Sequence, residues 1–203
     1  MRLVGMLDSP YVRRVAISLK LMKLPFELSQ VSVFRSFDEF KSINPVVKAP
    51  TLVTDDGVVL MDSGLILDYA EGLAGPSRSL MPSDPRELLR ALRIMGLALA
   101  ACEKTVQIIY ERNQRPPEKQ HQPWLDRVQG QLLAACGELE KIMAKQPVWF
   151  GGNTVLQPDV TVAVGWRFAQ HYIPQIVTTA EFPHLAAHSA RAEQLPAFVE
   201  MSF

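Results

Sequence analysis

Residues 2–31 read RLVGMLDSPYVRRVAISLKLMKLPFELSQV, and the spacing of their apolar residues changes twice. Residues 2–7 form a short apolar run, which is typical of a buried strand. Between residues 12 and 22 the apolar positions recur at helical spacing. Residues 26–31 alternate as a second strand does. Because a strand–helix–strand unit closes through a right-handed crossover, we expect two parallel strands at the start of an α/β domain.

The remainder of the first half extends this sheet. A polar stretch that holds a short helix is followed by apolar runs at 50–53 and 58–60, which predict two more strands. Residues 55–57 read Asp-Asp-Gly and indicate a hairpin, because Gly accepts the positive φ that such turns need. A third helix is predicted at 65–71. The order β-α-β-α-β-β-α favours a small mixed sheet covered by helices over residues 1–75.

The second half lacks the strand pattern. Residues 76–85 are rich in Pro and predict an interdomain linker. Beyond the linker, helical spacing predicts helices at 88–109, 125–142, 158–172, 183–193 and 196–201. The helix at 158–172 is apolar on most faces, so we expect it to be the central buried helix. The predicted fold class is therefore an α/β domain followed by an all-helical domain over residues 86–203.

Composition and charge argue against several classes of protein. Lys plus Arg and Asp plus Glu each number 21, so the formal net charge is zero and a nucleic-acid partner is not expected. The longest apolar run, which includes 95–102, is far shorter than the roughly 20 residues that span a bilayer. No secretory signal is expected, since residues 1–7 run directly into the folded pattern. Cys102 and Cys136 form no CxxC pair, so we expect reduced core thiols in a cytoplasmic protein.

Ser9 and Pro10 stand at the first strand-to-helix junction. Ser is a preferred N-cap and Pro is favoured at the first helical position, so a well-capped helix alone explains both residues. The same position has chemical consequences, because a helix N-terminus offers unpaired N–H groups and a positive dipole end that favour anions. A Ser hydroxyl there can also donate a hydrogen bond to a thiolate and lower the pKa of that thiol.

Two further segments have residues suited to binding a small zwitterion. An Ala49–Pro50 bond in cis would turn the main chain of Ala49 outward to pair with an extended peptide, although cis bonds cannot be deduced from sequence. Lys48 is either a solvated side chain or a partner for a ligand carboxylate. Ser63 is interpreted as an N-cap, and a helix N-terminus there can hold a carboxylate. Asp62 beside it can pair with an α-ammonium group.

Taken together, these segments resemble a cytosolic glutathione S-transferase along essentially the full length of the chain. The resemblance is carried by Ser9-Pro-Tyr-Val-Arg-Arg14, by Asn44-Pro-Val-Val-Lys-Ala-Pro50 and by Asp62-Ser63. It is closest to the serine-type bacterial and plant tau-like branches. It implies a thioredoxin-like N-terminal domain, glutathione as cosubstrate and a homodimer.

The resemblance also implies roles for individual residues. Ser9 would donate to the glutathione sulfur, and Ala49, before a cis Pro50, would pair its main chain with the cysteinyl unit. Asp62 and Ser63 would hold the γ-glutamyl end. The remaining two candidates, Lys48 and Arg35, would face the glycine carboxylate.

The first half departs from other branches of the family. It contains no Cys, which disfavours cysteine-type reductase chemistry. Tyr11 lies inside the first helix, which disfavours a tyrosine-type site. The Ser-Ser-Cys opening of maleylacetoacetate isomerases is absent. The leading interpretation is an enzyme that adds glutathione to a hydrophobic electrophile. The alternatives are a glutathione-binding regulatory or carrier protein and a glutathione-dependent isomerase or dehalogenase.

A second-substrate pocket between the two halves is the least specific prediction. Tyr11, Tyr110, Trp166 and Phe168 are candidates to line it, although core packing equally accounts for aromatic residues at these positions.

The helical half raises two smaller questions. The family caps its buried helix with Ser or Thr three residues before an Asp, whereas this chain has Leu156 before Asp159, so Thr154 or Gln157 is expected to substitute. Residues 184 and 188 are both His, at the spacing of two metal ligands on one helix face. No Glu or Cys completes a site in register, so no metal is expected.

Overall fold

A computed structural model describes residues 1–145 and 148–203, which divide into two units. The first unit comprises Met1–Met81 and Gln194–Phe203, and the second comprises Pro82–Glu193. The elements are β1 (Arg2–Val4), α1 (Pro10–Leu21), β2 (Glu27–Ser29), α2 (Phe37–Ile43), β3 (Thr51–Val53), β4 (Val59–Met61), α3 (Ser63–Ala74), α4 (Pro85–Gln114), α5 (Gln122–Met143), α6 (Gln157–Tyr172), α7 (Pro183–Ala192) and α8 (Pro196–Glu200). The predicted α/β half and the helical half that follows it are confirmed.

The strands of the first unit form one mixed sheet in the order β2-β1-β3-β4. β1 runs parallel to β2, as the strand–helix–strand pattern predicted, and antiparallel to β3. β3 and β4 form the predicted antiparallel hairpin. In the register, Val4 lies opposite Thr51, and Thr51 lies opposite Met61. The end of β1, the start of β3 and the end of β4 therefore meet at one end of the sheet.

Gly5 allows β1 and α1 to approach each other closely. Its φ is +141°, and a Cβ built on it would lie 2.6 Å from Cγ2 of Val12 and 3.2 Å from Cβ of Ala49. Glycine has no Cβ and accepts positive φ without a steric cost. The turn between the first strand and the first helix therefore depends on this residue.

Residues 194–203 pack with the first unit, which differs from the sequence-based division that assigned them to the helical half. The side chain of Arg13 on α1 is buried and donates from Nε to the carbonyl of Met201 at 2.8 Å and from Nη2 to that of Phe198 at 3.3 Å. The aromatic rings of Phe198 and Phe203 also face its guanidinium. A buried guanidinium needs such acceptors, and the C-terminal segment supplies them.

The second unit is a helical bundle whose boundary falls inside the predicted linker. Asp84 caps α4 by accepting from the main-chain N–H groups of Arg86 and Glu87. α6 is buried along most of its length, which confirms the prediction of a central buried helix. The cluster around it joins apolar residues from α4, α5, α6 and α7. No helix in the described parts of the chain is both long and apolar enough to cross a membrane.

Asp159, not Thr154 or Gln157, satisfies the main chain at the start of α6. Its carboxylate accepts from the N–H of Leu156 at 2.8 Å and from that of Phe150 at 3.2 Å, which is half of a capping box. Burial raises the pKa of Asp159 to about 7, against the lowering effect of these two hydrogen bonds.

The two histidines on α7 have separate partners. His184 is exposed, and its Nδ1 lies 2.6 Å from Oε1 of Glu140. His188 is buried, its Nε2 lies 3.2 Å from the carbonyl of Asp159, and burial lowers its pKa to about 4. The spacing that resembled a pair of metal ligands is therefore used for packing and capping at different places.

We expect Gly5→Ala to lower the free energy of unfolding by about 2–3 kcal/mol, because the added methyl group meets Val12 and the backbone is left at an unfavourable φ. Urea unfolding followed by circular dichroism measures this change. Gly130→Ala is the control, since Gly130 lies on α5 with open space around it, and we expect it to stabilise the protein by about 0.5–1 kcal/mol. Equal stability of wild type and Gly5→Ala would contradict the close-approach argument.

Candidate functional site

Ser9 lies at the N-terminus of α1 and is its N-cap, as predicted. Its Oγ accepts only a long hydrogen bond, 3.5 Å, from the N–H of Val12, and its own N–H donates to the carbonyl of Met6. The residue is partly exposed. A hydroxyl has one proton and two acceptor positions, so a Ser9 hydroxyl that accepts from Val12 still has its proton to donate to a ligand.

A buried amide holds the loop that leads into β3. The side chain of Asn44 donates to Oγ1 of Thr51 at 2.8 Å and accepts from the N–H of Val46 at 3.0 Å. Thr51 in turn donates from its hydroxyl to the carbonyl of Lys48 at 2.7 Å. Val47 is held at a φ of +52°, which is unfavourable for a β-branched residue. These bonds fix the path of the chain just before the strand.

The Ala49–Pro50 peptide bond is cis, as the resemblance implied. Among the described residues, no hydrogen bond involves the main chain of Ala49. The residue is half-buried and its Cβ faces Gly5. The N–H and C=O groups of Ala49 are thus available to an extended peptide ligand.

Asp62, not Ser63, is the N-cap of α3, so the sequence-based assignment was off by one residue. The carboxylate of Asp62 accepts from the N–H of Gly64 at 2.9 Å and lies 3.4 Å from Nζ of Lys48. Partial burial alone raises the pKa of Asp62, but Gly64 and Lys48 outweigh it and lower the pKa overall. Asp62 has a φ of +73°. It therefore has an ionised carboxylate at an exposed position.

Ser63 is buried as the first residue of α3, and its Oγ accepts a 3.0 Å hydrogen bond from Nη1 of Arg14. Arg14 belongs to the quoted α1 motif, but sequence reasoning assigned it no role. Two adjacent arginines on a helix normally indicate a solvated face, and no sequence signal separates that case from burial. Asn44 and Thr51 were also missed as positioning residues, because no signal in the sequence shows that these two polar side chains are buried and bonded to each other.

The sheet register brings most of the predicted glutathione-binding residues to one end of the first unit. Ser9 follows β1, Lys48, Ala49 and Pro50 precede β3, and Asp62 and Ser63 follow β4. Arg35 lies in the exposed loop between β2 and α2, and the described contacts do not connect its side chain with the others.

The candidates for the second-substrate pocket fall into two groups. Trp166 and Phe168 are buried in the second unit. Trp166 packs edge-on against Phe182 with 5.9 Å between ring centroids, and the ring centroids of Phe168 and Tyr172 are 5.0 Å apart. These contacts favour core packing for both. Tyr110 on α4 is 45% exposed, and Tyr11 in the first turn of α1 is partly buried. The pocket itself stays a prediction.

Comparison with known families matches both halves. Residues 3–78 match the N-terminal domain of glutathione S-transferases, and residues 122–191 match their C-terminal domain. The GST-like protein YibF of Escherichia coli is 31% identical over 69% of this chain and 68% of its own length. The chain belongs to the glutathione S-transferase family.

Other relatives and a solved structure agree with this assignment. A probable glutathione S-transferase of Oryza sativa is 29% identical over 94% of this chain and 83% of its own length. Maleylacetoacetate isomerase of Pseudomonas aeruginosa is 29% identical over 91% of this chain and 90% of its own length. A glutathione S-transferase of Methylobacterium radiotolerans, solved in complex with glutathione sulfonate, is 30% identical with a TM-score of 0.90 over 98% of this chain and 93% of its own.

We expect Asn44→Ala to destabilise the protein by about 1–3 kcal/mol, because the N–H of Val46 and the hydroxyl of Thr51 lose a buried partner. Thermal and urea unfolding measure the change. Asn113→Ala is a matched control on the exposed end of α4, where we expect a change within about 0.5 kcal/mol. Similar values for the two variants would show that the buried amide does not hold the loop.

Proposed function

We propose that the protein is a serine-type glutathione transferase, close to the bacterial and tau-like branches, that adds glutathione to a hydrophobic electrophile. The observation that carries the proposal is the placement of the Ser9 hydroxyl, the Ala49 main chain and the Asp62–Ser63 pair at one end of the sheet. The solved relative with bound glutathione sulfonate supports glutathione as the ligand.

The proposed ligand position follows the polar groups of the first unit. The α-ammonium of the γ-glutamyl end pairs with the ionised carboxylate of Asp62, and its α-carboxylate accepts from Ser63 at the N-terminus of α3. The cysteinyl unit pairs with the main chain of Ala49. Lys48 and Arg35 are exposed cations that face the glycine carboxylate.

The proposed chemistry is thiolate activation. A free thiol has a pKa of about 8.5, so only a few per cent is ionised near neutral pH. The hydroxyl of Ser9 donates to the sulfur, and the N-terminus of α1 adds its positive dipole end, and both favour the thiolate. A pKa lowered by about two units corresponds to roughly 2.7 kcal/mol, which one charge-assisted hydrogen bond and a helix terminus together can supply.

The bond changes balance in this scheme. The thiol proton leaves to solvent and a sulfur lone pair forms the new bond to the electrophilic carbon. In a substitution the displaced pair departs with the leaving group; in an addition the π pair moves to the acceptor atom, which takes a proton from solvent. Ser9 keeps its own proton throughout and acts as a donor, not as the nucleophile. We propose that this takes place in the cytoplasm, where thiols are kept reduced.

Glutathione-dependent isomerisation is a second candidate, because a maleylacetoacetate isomerase is among the relatives. In that reaction the thiol adds to the substrate and is released again, so product analysis separates isomerisation, like dehalogenation, from conjugation. The Ser9-Pro10-Tyr11 opening in place of Ser-Ser-Cys favours conjugation. A protein that binds glutathione but turns over no electrophile would instead be a regulatory or carrier protein.

We expect Ser9→Ala to lower kcat at least about tenfold and to raise the pKa of the bound thiol, because one charge-assisted hydrogen bond to the thiolate is lost. The absorbance of bound thiolate against pH measures the pKa, and a conjugation assay measures kcat. Ser63→Ala should instead weaken glutathione binding in isothermal titration. Ser77→Ala, at an exposed position, is the control. Unchanged kcat and thiol pKa in Ser9→Ala would exclude the assigned role.

We also propose that the protein is a homodimer with two-fold symmetry. One side of α3 carries an exposed apolar row, Leu65, Tyr69 and Leu73, at four-residue spacing. If this row is buried between two copies, Leu65→Asp together with Leu73→Asp should shift the mass in light scattering from dimer to monomer. A wild-type protein that is monomeric at micromolar concentration would contradict the proposal.

A further inference from the structure

A groove opens at the end of the sheet opposite to the candidate site. Arg2 pairs with Glu27 on one side and with Val53 on the other, so the chain enters β1 and β2 and leaves β3 at this end. The groove has a volume of about 720 Å³ and is lined by residues of the first unit alone. Such a volume lies within the range of small-molecule sites.

The walls of the groove are mostly apolar. The segment between α1 and β2 contributes Leu24, Pro25 and Phe26, and α3 contributes Tyr69 and Leu73. Tyr69 and Leu73 are 39% and 44% exposed, so much of the α3 wall is open to solvent. The opposite wall is held in place, because the N–H of Leu24 donates to the carbonyl of Leu19 at 2.9 Å. A hydrophobic ligand would gain free energy by removing this apolar surface from water.

The charged residues that line the groove are mainly acidic. Glu27 begins β2, and Asp55 and Asp56 lie in the turn between β3 and β4. The N-terminal ammonium of Met1 lies 2.6 Å from Oδ1 of Asp55. Three carboxylates and one ammonium give the lining a net charge of two negative. Among the described residues, no hydrogen bond or ion pair involves the carboxylate of Glu27 or the hydroxyl of Tyr69.

This combination of apolar walls and unbalanced negative charge favours one class of ligand. The carboxylates repel an anion and attract a cation, and the rings of Phe26 and Tyr69 can add cation–π contacts. In the described parts of the chain, no group of three or more His, Cys, Asp or Glu residues is placed to hold a metal ion. An organic cation with aromatic or aliphatic groups therefore fits the groove better than a metal ion does.

We propose that this groove is a second binding site, which takes small hydrophobic cations. It lies at the other end of the sheet from Ser9, Ala49 and Asp62, so both sites can be occupied together. The proposal does not depend on the proposed transferase function.

The groove shares part of its lining with the apolar row of the proposed dimer contact. Tyr69 and Leu73 belong to both, whereas Leu65, in the first turn of α3, belongs to the row and does not line the groove. The proposal requires the Leu73 end of the row to stay accessible, in a monomer or in a dimer. Leu65 and Leu73 are therefore a matched pair for the test.

Two probe ions separate the effect of charge from that of hydrophobicity. Tetraphenylphosphonium and tetraphenylborate have nearly the same size and apolar surface but opposite charge. In isothermal titration we expect tetraphenylphosphonium to bind one to one with a dissociation constant below about 0.1 mM, and tetraphenylborate to bind at least about tenfold more weakly. Added salt should weaken binding of the cation, because exposed charges are screened.

Substitutions test the acidic residues and the apolar wall separately. Glu27→Gln combined with Asp56→Asn should weaken binding of the cation about fivefold without weakening binding of the anion. Glu39→Gln, at an exposed position on α2, is the charge control and should leave the affinity unchanged. Leu73→Ala should weaken binding of the cation about threefold by removing part of the apolar wall, whereas Leu65→Ala should not.

The remaining outcomes are equally decisive. Equal affinity for the two ions would show that the carboxylates select nothing and would overturn the proposal. Displacement of tetraphenylphosphonium by glutathione would place the cation in the candidate site and would also overturn it. So would a wild-type protein that does not bind the cation, as expected if a second copy covers the groove. A protein that binds the cation but not glutathione would contradict the proposed function and leave the groove site intact.

Discussion

The pairing of β3 with β1 on one side and β4 on the other is the constraint on which the candidate site depends. Val4, Thr51 and Met61 stand side by side across the sheet. The three chain segments that leave or enter these positions therefore meet at one end, although the first is more than forty residues from the other two along the chain. A shift of one residue in this register would turn alternate side chains to the opposite face and separate the segments.

Buried polar contacts fix the positions of the chain segments that meet at this end of the sheet. Asn44 and Thr51 hold the loop before β3, and Arg14 holds the first residue of α3. Such contacts stabilise one arrangement because a buried polar group without its partner costs about 1–3 kcal/mol. Val47 and Asp62 are both held at positive φ beside these contacts, and such strain persists only where the surrounding structure determines it. The neighbouring main chain is thus held in one arrangement.

In the helical unit, buried hydrogen bonds likewise stabilise the turn at the start of α6. Leu156 cannot cap the helix with its side chain, and the carboxylate of Asp159 accepts from the main chain on both sides of the turn. His188 packs against the same point and stays neutral because burial lowers its pKa. The family pattern of a hydroxyl cap is thus absent from this chain, but the turn retains two of the hydrogen bonds it needs.

Local patterns in the sequence were sufficient to predict the order of strands and helices along the chain. The roles of the candidate site residues came from the family resemblance and stay predictions. Periodicity reports which face of a helix or strand is apolar, and turn residues report where the chain reverses, so both can be recognised without knowing what packs against them. The family motifs added Ser9, Ala49 and Asp62, because their spacing follows these same turns. The strand–helix–strand pattern predicted the parallel β1–β2 pair, and the Asp-Asp-Gly turn predicted the β3–β4 hairpin. The antiparallel pairing of β1 with β3 was not predicted.

Only the tertiary structure decided which polar residues are buried and which partners they meet. Arg13 and Arg14 are identical neighbours in the sequence, yet one binds the C-terminal segment and the other binds Ser63. The assignment of residues 194–203 to the first unit and the shift of the α3 cap to Asp62 were missed for the same reason. Burial and hydrogen bonding depend on residues far away in the chain, and the spacing of residue types within one segment does not indicate those partners.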